Sequence, residues 1–450
     1  MQYAQSKIKE KLLLTVFFIT FGCKVNCYET ECIKKMFLEN GFKVSENSSD
    51  ADAVIINSCT VTSASDKKVR QTLRKIRNEN PSALTVLTGC YPQAFRKEAE
   101  SLTEADIVTG TKDRSALLNL VLEGIENRKR IVKVEPYDNH ETLEKMSCLS
   151  FEKKTRAFVK IQDGCNQFCS YCIIPYSRGR IRSKPLEDVV NEVTELVAGG
   201  HQEIVLVGIN LAFYGAESGL GLTDAVEAVS RINGVKRIRL GSLEPERIHE
   251  KDLVRLSNIP SFCPQFHLSL QSGSDKTLRD MNRKYTSAEY YELVVKIRRI
   301  FPDASVTTDV MVGFPGETDE DFEESLRFVN RTAFSKIHVF PYSVRSGTKA
   351  ASMSGQIDGR IKTERAEKMT KLGDELEKQF LISQIGKTVP VLFEKENCTD
   401  FHRGYSPNYT LVKIKRNNPL KSLRNSIFYV NIEEAVNDFC IGKISDIQNK

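Results

Sequence analysis

From Leu12 to about Ile125, short apolar runs alternate with segments that are polar along one side. Leu13–Phe21, Ala53–Asn57 and Leu84–Thr88 read as strands, and Glu29–Asn40 and Ala64–Arg77 as helices. In the second helix Val69, Leu73 and Ile76 recur at i, i+4 and i+7. This alternation predicts a parallel sheet covered on both faces, with functional residues at the carboxyl ends of its strands. A polar stretch over 126–154, containing Pro136, reads as a linker. The alternation then resumes over 155–380. Strands are expected at Arg156–Ile161, Glu203–Val207, Val235–Leu240, Gln265–Leu270, Ala304–Val310 and Lys336–Phe340. Helices are expected at Leu186–Ala198, Leu222–Ile232 and Glu320–Val329, the first with Val189, Val193, Leu196 and Val197 as its apolar stripe. About six strand–helix units fall short of a closed eightfold barrel and predict an open, partial (β/α)6 barrel. After a charged amphipathic helix at Arg360–Phe380 the register shortens. Thr388–Phe393, Tyr409–Ile414, Ser426–Val430 and Ile441–Ile447 predict a small antiparallel barrel over 383–450. The fold class is thus α/β, in three parts.

The length of 450 residues agrees, since single cores stop growing near about 250–300 residues. A net charge of +6 has the right sign for a polyanionic partner, although where the charge sits matters more. Lys67, Lys68, Arg70, Arg74, Lys75 and Arg77 ring the Ala64–Arg77 helix, either as a solvated face or as a phosphate-contacting one. In the C-terminal segment Arg403, Tyr405, Lys413, Lys415 and Arg424, with Tyr409, Arg416 and Lys421, mix cations with rings that can stack on bases. A plain oligomerisation barrel is the rival reading there. The apolar run Leu12–Phe21 is too short to span a bilayer and enters Gly22-Cys23 without a small-residue cleavage site, so it reads as a buried first strand. Twelve cysteines without a secretory signal place the chain in a reducing, cytoplasmic setting, where thiols serve metal or redox chemistry.

The cysteines carry the chemistry. Asp163-Gly164-Cys165-Asn166-Gln167-Phe168-Cys169-Ser170-Tyr171-Cys172 packs three thiols into a Cys-x3-Cys-x2-Cys run. Structural zinc sites take four ligands and usually repeat a Cys pair, whereas three thiolates suit a [4Fe–4S] cluster with one iron left open. A chance grouping of buried cysteines, or a zinc site completed by a distant residue, is the competing reading. Cys23, Cys59 and Cys90 each follow one of the first three long apolar strands, two of them directly after a glycine. They would converge on one rim as a second three-thiolate site, unless some are ordinary buried thiols. Cys27 and Cys32 read as packing residues of the first helix.

On the spacing of the first set, with Tyr171 before its last cysteine, the sequence resembles the radical S-adenosylmethionine enzymes. With Cys23, Cys59 and Cys90 added, it resembles their methylthiotransferase family. Gly22-Cys23-Lys24-Val25-Asn26, Asn57-Ser58-Cys59-Thr60-Val61-Thr62 and Thr88-Gly89-Cys90-Tyr91 are most similar to the branch acting on threonylcarbamoyladenosine in tRNA, with Cys27 where Gln is usual and Ser58 where Thr is. The resemblance implies two [4Fe–4S] clusters, held by Cys165, Cys169 and Cys172 and by Cys23, Cys59 and Cys90. It implies S-adenosylmethionine on the open iron of the first, cleaved to a 5′-deoxyadenosyl radical, and a second S-adenosylmethionine that methylates sulfur held at the other cluster. No catalytic side chain beyond the cluster ligands is implied. The expected product is the 2-methylthio derivative of N6-threonylcarbamoyladenosine at position 37, in the anticodon stem-loop. A flavodoxin or ferredoxin as electron donor, a sulfur source, and a TRAM-like RNA-binding barrel at the C-terminus are further implications. The expected cofactor pocket takes Tyr171, Gly199, Gly200, Ser242, Glu244, Gln271 and Asp309, with Gly199 and Gly200 facing the methionyl amino group. Arg178, Arg180 and Arg182 form an anion-binding edge or a solvated one, and His267 and His338 read as core histidines. Rival substrates are isopentenyladenosine-37 of tRNA and a ribosomal-protein aspartate. A non-catalytic iron–sulfur RNA-binding regulator is the reading outside the enzyme class.

Overall fold

The computed structural model describes residues 14–138, 141–148, 151, 154–395, 400–416 and 422–446. Leu12, Leu13, Lys421 and Ile447 lie outside the described residues. The chain divides into two compact units, and the first joins the described part of Met1–Leu149 to Gln162–Lys184 and Ser343–Ala351. It runs β1 (Thr15–Thr20), α1 (Lys24–Glu39), β2 (Lys43–Val44), β3 (Ala53–Ser58), α2 (Ser63–Glu79), β4 (Leu84–Gly89), α3 (Cys90–Ala94), β5 (Ile107–Thr109), α4 (Leu117–Asn127) and β6 (Ile131–Lys133). The strands form one parallel sheet in the order β2-β1-β3-β4-β5-β6.

Every residue of β3 and β4 is buried, which is why these strands read as unbroken apolar runs without alternation. Val54, Ile56 and Leu87 pack with Val69, Leu73 and Ile76 of α2. The opposite core gathers Val16, Ile55 and Val86 with Ile33 and Phe37 of α1 and Val121 of α4. The hydroxyl of Thr62 accepts from the Ser65 amide and so satisfies an orphan donor at the start of α2. Much of the cationic ring on α2 is engaged within the unit, Lys75 with Glu79 at 3.6 Å. Arg70 donates to the Tyr91 hydroxyl, Arg74 pairs with Glu104, and Arg77 with Asp106. Lys67 and Lys68 remain exposed. A short helix, α5 (Ile174–Arg178), also belongs to this unit.

The second unit contains β7 (Arg156–Lys160), α6 (Leu186–Ala198), β8 (Glu203–Val207), α7 (Leu222–Ser230), β9 (Arg237–Leu240), β10 (Ser242–Leu243), β11 (Gln265–Leu268), α8 (Ser287–Ile300), β12 (Ser305–Val312), α9 (Asp319–Thr332) and β13 (Lys336–Pro341). Two parallel sheets, β9-β8-β7 and β10-β11-β12-β13, are separated along the chain only by Gly241. They make the expected open (β/α)6 barrel. A long helix, α10 (Gly359–Ile382), precedes a closed barrel of β14 (Thr388–Phe393), β15 (Phe401–Tyr405), β16 (Leu411–Lys415), β17 (Ile427–Val436) and β18 (Phe439–Ile444). This barrel has five strands where four were expected, and β16 pairs with β18 in parallel. No described helix is long and apolar enough to cross a membrane.

The small barrel is seated on the starts of β7, β8 and β9 by three arginines, of which Arg237 and Arg239 are buried. Arg239 Nε donates to Glu203 Oε1 at 2.8 Å and its Nη1 to the Pro407 carbonyl at 2.8 Å. Arg237 donates to the carbonyls of Tyr405 and Pro390, both at 2.7 Å, and Arg156 pairs with Glu394 at 2.7 Å. Burial alone would raise the Glu203 carboxyl, but Arg239, Arg156 and Arg237 hold it below its ordinary value. Arg239→Ala strips the nearest cation from a fully buried carboxylate and opens two barrel carbonyls. It is expected to cost about 3–5 kcal/mol, read as a lowered midpoint in urea unfolding of the full chain.

Candidate metal centres

Because β1, β3 and β4 are adjacent and parallel, their carboxyl ends lie side by side, with Thr20 in register with Asn57 and Ser58 with Gly89. Cys59 and Cys90 follow directly, and Cys23 follows β1 after Phe21 and Gly22. Gly22 and Gly89 have φ of +110° and +101°, in the region that favours glycine. A Cβ on Gly22 would lie 2.6 Å from Cys59 Cβ and 3.0 Å from its Sγ, so the missing side chain is what lets the Cys23 loop close over Cys59. The two loops are tied by Asn26, whose Nδ2 donates to the carbonyls of Phe21 at 2.9 Å and Ser58 at 3.0 Å.

The second cysteine set occupies the same unit. Gly164, at φ +74°, presses its α-carbon against the Arg180 carbonyl, and the Cys165 amide donates to the Gly179 carbonyl at 3.1 Å. The Cys172 amide donates to the Cys169 carbonyl at 2.9 Å, which turns the loop back on itself. Phe168 stands in the left-handed region at φ +48°, exposed, with its ring edge-on to exposed Tyr176. Segment Ser343–Ala351 braces both cysteine loops. Its Ala350 amide donates to the Ser170 carbonyl at 2.7 Å, and Arg345 Nη2 donates to Thr60 Oγ1 at 2.6 Å and Asp66 Oδ2 at 2.7 Å. Nothing local in the sequence marks Arg345, whose partners lie some 280 positions away.

The arginines after the loop depart from the expected anion-binding edge. Arg178 is fully buried and points inward, where its Nε donates to Cys90 Sγ at 3.2 Å and its Nη2 to Glu29 Oε2 at 3.0 Å and Asn26 Oδ1 at 2.8 Å. Arg182 is buried over the Tyr137 ring. Of the three, Arg180 alone is exposed. The cause is Glu29: a carboxylate with no exposure on α1 needs cations, and Arg178 and Arg114 supply them.

These surroundings suit an iron–sulfur cluster. Burial pushes the thiols of Cys59 and Cys90 up, against the pull of Arg178. Cys23 keeps a solvent-facing edge but is desolvated by the packed atoms around it, and it rises as well. Three soft donors that stay neutral when empty and ionise on binding metal, beside one buried cation, match the charge needs of a thiolate cluster. Among the described residues no three His, Cys, Asp or Glu side chains are spaced to grip a single ion. The thiolates of a cube each bind a different iron.

Residues 159–329 match the model of the radical SAM superfamily, and 15–110 that of an uncharacterized protein family, UPF0004. The chain is 38% identical over 409 residues to the threonylcarbamoyladenosine tRNA methylthiotransferase MtaB of Bacillus subtilis, covering 90% of this chain and 91% of that protein. The chain belongs to the radical SAM methylthiotransferase family. It is also 33% identical to the tRNA-2-methylthio-N(6)-dimethylallyladenosine synthase of Caldicellulosiruptor saccharolyticus, over 93% of this chain and 87% of that one. The fold is shared with the radical S-adenosylmethionine methyltransferase TsrM of Kitasatospora setae, at a TM-score of 0.56 and 14% identity over 75% of this chain and 74% of that one.

In this methylthiotransferase the pocket residues expected in the second unit separate into two groups. Ser242 opens β10 just past the carboxyl end of β9, Gln271 lies beyond the carboxyl end of β11 and Asp309 is within β12, the Gln271 amide donating to the Asp309 carbonyl at 2.9 Å. Gln271 has φ +71°, and its buried Oε1 has no hydrogen-bond partner among the described residues. His267 joins them, with Nε2 3.2 Å from Asp309 Oδ2 and Nδ1 2.9 Å from Thr307 Oγ1, and His338 sits beside it at the exposed end of the row. His267 is thus satisfied and half-buried, while the exposed His338 departs from the expected core position. Glu244 is engaged by Arg283. Gly199 and Gly200 are a correction. They end α6 and precede β8, at the amino side of the barrel strands, where Asn425 Nδ2 donates to the Gly200 carbonyl at 2.8 Å. The carboxyl end of β8 carries Gly208-Ile209-Asn210 instead.

In the small barrel Lys415 and Arg424 are exposed and Arg403 is half-buried near Glu394. Lys413 covers the Phe439 ring. Tyr405 differs from expectation: its ring stacks on Tyr409 at 4.5 Å with the Arg156 guanidinium against both. That stacking surface is consumed inside the fold, so Tyr405 is a poor platform for a base.

Proposed function

We propose that this protein converts N6-threonylcarbamoyladenosine-37 of tRNA to its 2-methylthio derivative, using S-adenosylmethionine and two [4Fe–4S] clusters. The observation that carries the reading is the sorting of six cysteines into two three-thiol sets within one compact unit, in a chain that matches MtaB over nine-tenths of its length. Cys165, Cys169 and Cys172 would hold one cluster and Cys23, Cys59 and Cys90 the other; between them such clusters supply an electron to S-adenosylmethionine and a seat for transferable sulfur. The adenine C2–H is not acidic, which explains why no general base is assigned. The chain's own residues position and shield. Gly22 and Gly164 close the loops, Arg178 compensates charge, and Ser242, Gln271 and Asp309 line the cofactor side of the barrel. Lys415 and Arg424 of the small barrel offer cations to the anticodon stem-loop. A flavodoxin or ferredoxin, a sulfur source and a cytoplasmic setting complete the proposal.

The relatives named for dimethylallyladenosine keep that nucleoside as the second reading. Mass spectrometry of nucleosides from tRNA of cells lacking this protein separates the two. Loss of the 2-methylthio mark on threonylcarbamoyladenosine, with the mark on isopentenyladenosine intact, is the expected result. The reverse pattern would exchange the substrates, and no change in either would remove tRNA as substrate.

A further inference from the structure

We infer that Arg178 is a positioning residue that sets the charge, and hence the reduction potential, of the Cys23/Cys59/Cys90 centre while belonging to the other cysteine loop. The inference rests on the two-cluster reading above. It starts from the cost of the arrangement: an arginine with no exposure is tolerated only if its donors are met. Here Nη1 and Nη2 meet Glu29, Nη1 also faces Asp163 Oδ2 at 3.4 Å, Nη2 also meets Asn26 Oδ1, and Nε is aimed at Cys90 Sγ at 3.2 Å. The thiol is the one partner in that set whose charge changes when metal binds. Glu29 is itself shared with Arg114, which donates to it at 2.8 Å, so the carboxylate is fixed from a second direction.

The arm that delivers Arg178 is short and braced. Five residues separate it from Cys172 in the chain, α5 ends on it, and the carbonyl of the residue after it accepts from the Cys165 amide. Arg182 Nη2 donates to the Arg178 carbonyl at 2.9 Å, and the Ser177 carbonyl accepts from Thr111 Oγ1 at 2.6 Å. The backbone that carries Arg178 is therefore tied to the loop that holds Cys165, while Glu29 and Asn26 hold its guanidinium against Cys90. The potential of an iron–sulfur centre depends on local charge and on hydrogen bonds to its sulfurs. A cation donating to a ligating sulfur favours the reduced, more negative state and raises the potential. Glu29 acts oppositely.

The test uses the full chain carrying Cys165→Ala, Cys169→Ala and Cys172→Ala, so that only the N-terminal centre contributes a signal. After reconstitution, iron is counted, and the midpoint of one-electron reduction by dithionite is followed by electron paramagnetic resonance. Adding Arg178→Gln is expected to shift the midpoint to lower potential, and adding Glu29→Gln to higher potential. Arg178→Lys should fall between Arg178→Gln and the parent. If Arg178→Gln loses iron, Arg178→Lys carries the test: a midpoint below that of the parent supports the role and an unchanged one overturns it. Unchanged midpoints, or shifts of the same sign for Arg178→Gln and Glu29→Gln, overturn the inference and leave the two-cluster reading standing. A parent triple variant that holds no iron overturns both.

Discussion

Cys59→Ala is expected to remove methylthio transfer while sparing cleavage of S-adenosylmethionine. Cys59 lies at the carboxyl end of β3, buried, with Gly22 folded over it. Alanine keeps its backbone and Cβ and deletes only the donor sulfur. Two thiols do not hold a cube, so iron in the reconstituted chain should fall from about eight to about four per chain. The remaining iron sits on Cys165, Cys169 and Cys172, whose loop is ordered by its own bonds to Gly179 and Ala350. Formation of 5′-deoxyadenosine should therefore continue, uncoupled from product. Cys169→Ala should abolish 5′-deoxyadenosine and methylthionucleoside together. Iron and product counts on the two variants, with chromatography of the nucleosides, make the check. Full iron in Cys59→Ala, or methylthiolation at the parent rate, would refute the assignment of the N-terminal set.

The cysteine sets were legible because their signals are local. A strand's apolar run and the residue after it are neighbours in the chain, and parallel pairing then brings Cys23, Cys59 and Cys90 to one rim regardless of the distance between them. Gly199-Gly200 looked like the same signal, yet it precedes β8 where Gly208 follows it; which end of a strand a glycine occupies decides whether it reaches the functional face. Arg178 was illegible for another reason. Arg178, Arg180 and Arg182 look alike in sequence, and only Glu29, 149 positions away on α1, distinguishes the buried one. Tyr405 follows suit, its partners Arg156 and Tyr409 being set by how the small barrel seats on β7. The fifth strand, Phe401–Tyr405, was hidden by its brevity and by a glycine at its fourth position, which lets β15 approach β14 closely: a Cβ there would meet Val391 Cγ1 at 2.6 Å.

Gly164→Ala carries the largest expected structural effect of any single methyl. At φ +74° an L side chain costs about 1–2 kcal/mol from local sterics alone. Here the added Cβ would also fall within the van der Waals envelope of the Arg180 carbonyl, and that obstacle is backbone, which cannot rotate away. Relief requires Gly179-Arg180 to move from Gly164, breaking the hydrogen bond that the Cys165 amide donates to the Gly179 carbonyl and pulling on Arg178 behind it. The Gln162 side chain, which donates to the Gly164 carbonyl at 2.7 Å, loses its register as well. Iron at the Cys165 set should be lost and 5′-deoxyadenosine formation with it, while far-ultraviolet circular dichroism stays close to that of the parent because the flanking sheets are untouched. Gly200→Ala is the control. Its φ of +92° carries the same local cost, but nothing lies within 4 Å of the new Cβ and the site is on the amino side of the barrel. It should retain iron, turnover and the KM for S-adenosylmethionine. A raised KM in Gly200→Ala would return that glycine to the cofactor pocket. Full activity in Gly164→Ala would show that the Cys165 loop does not need its contact with Arg180.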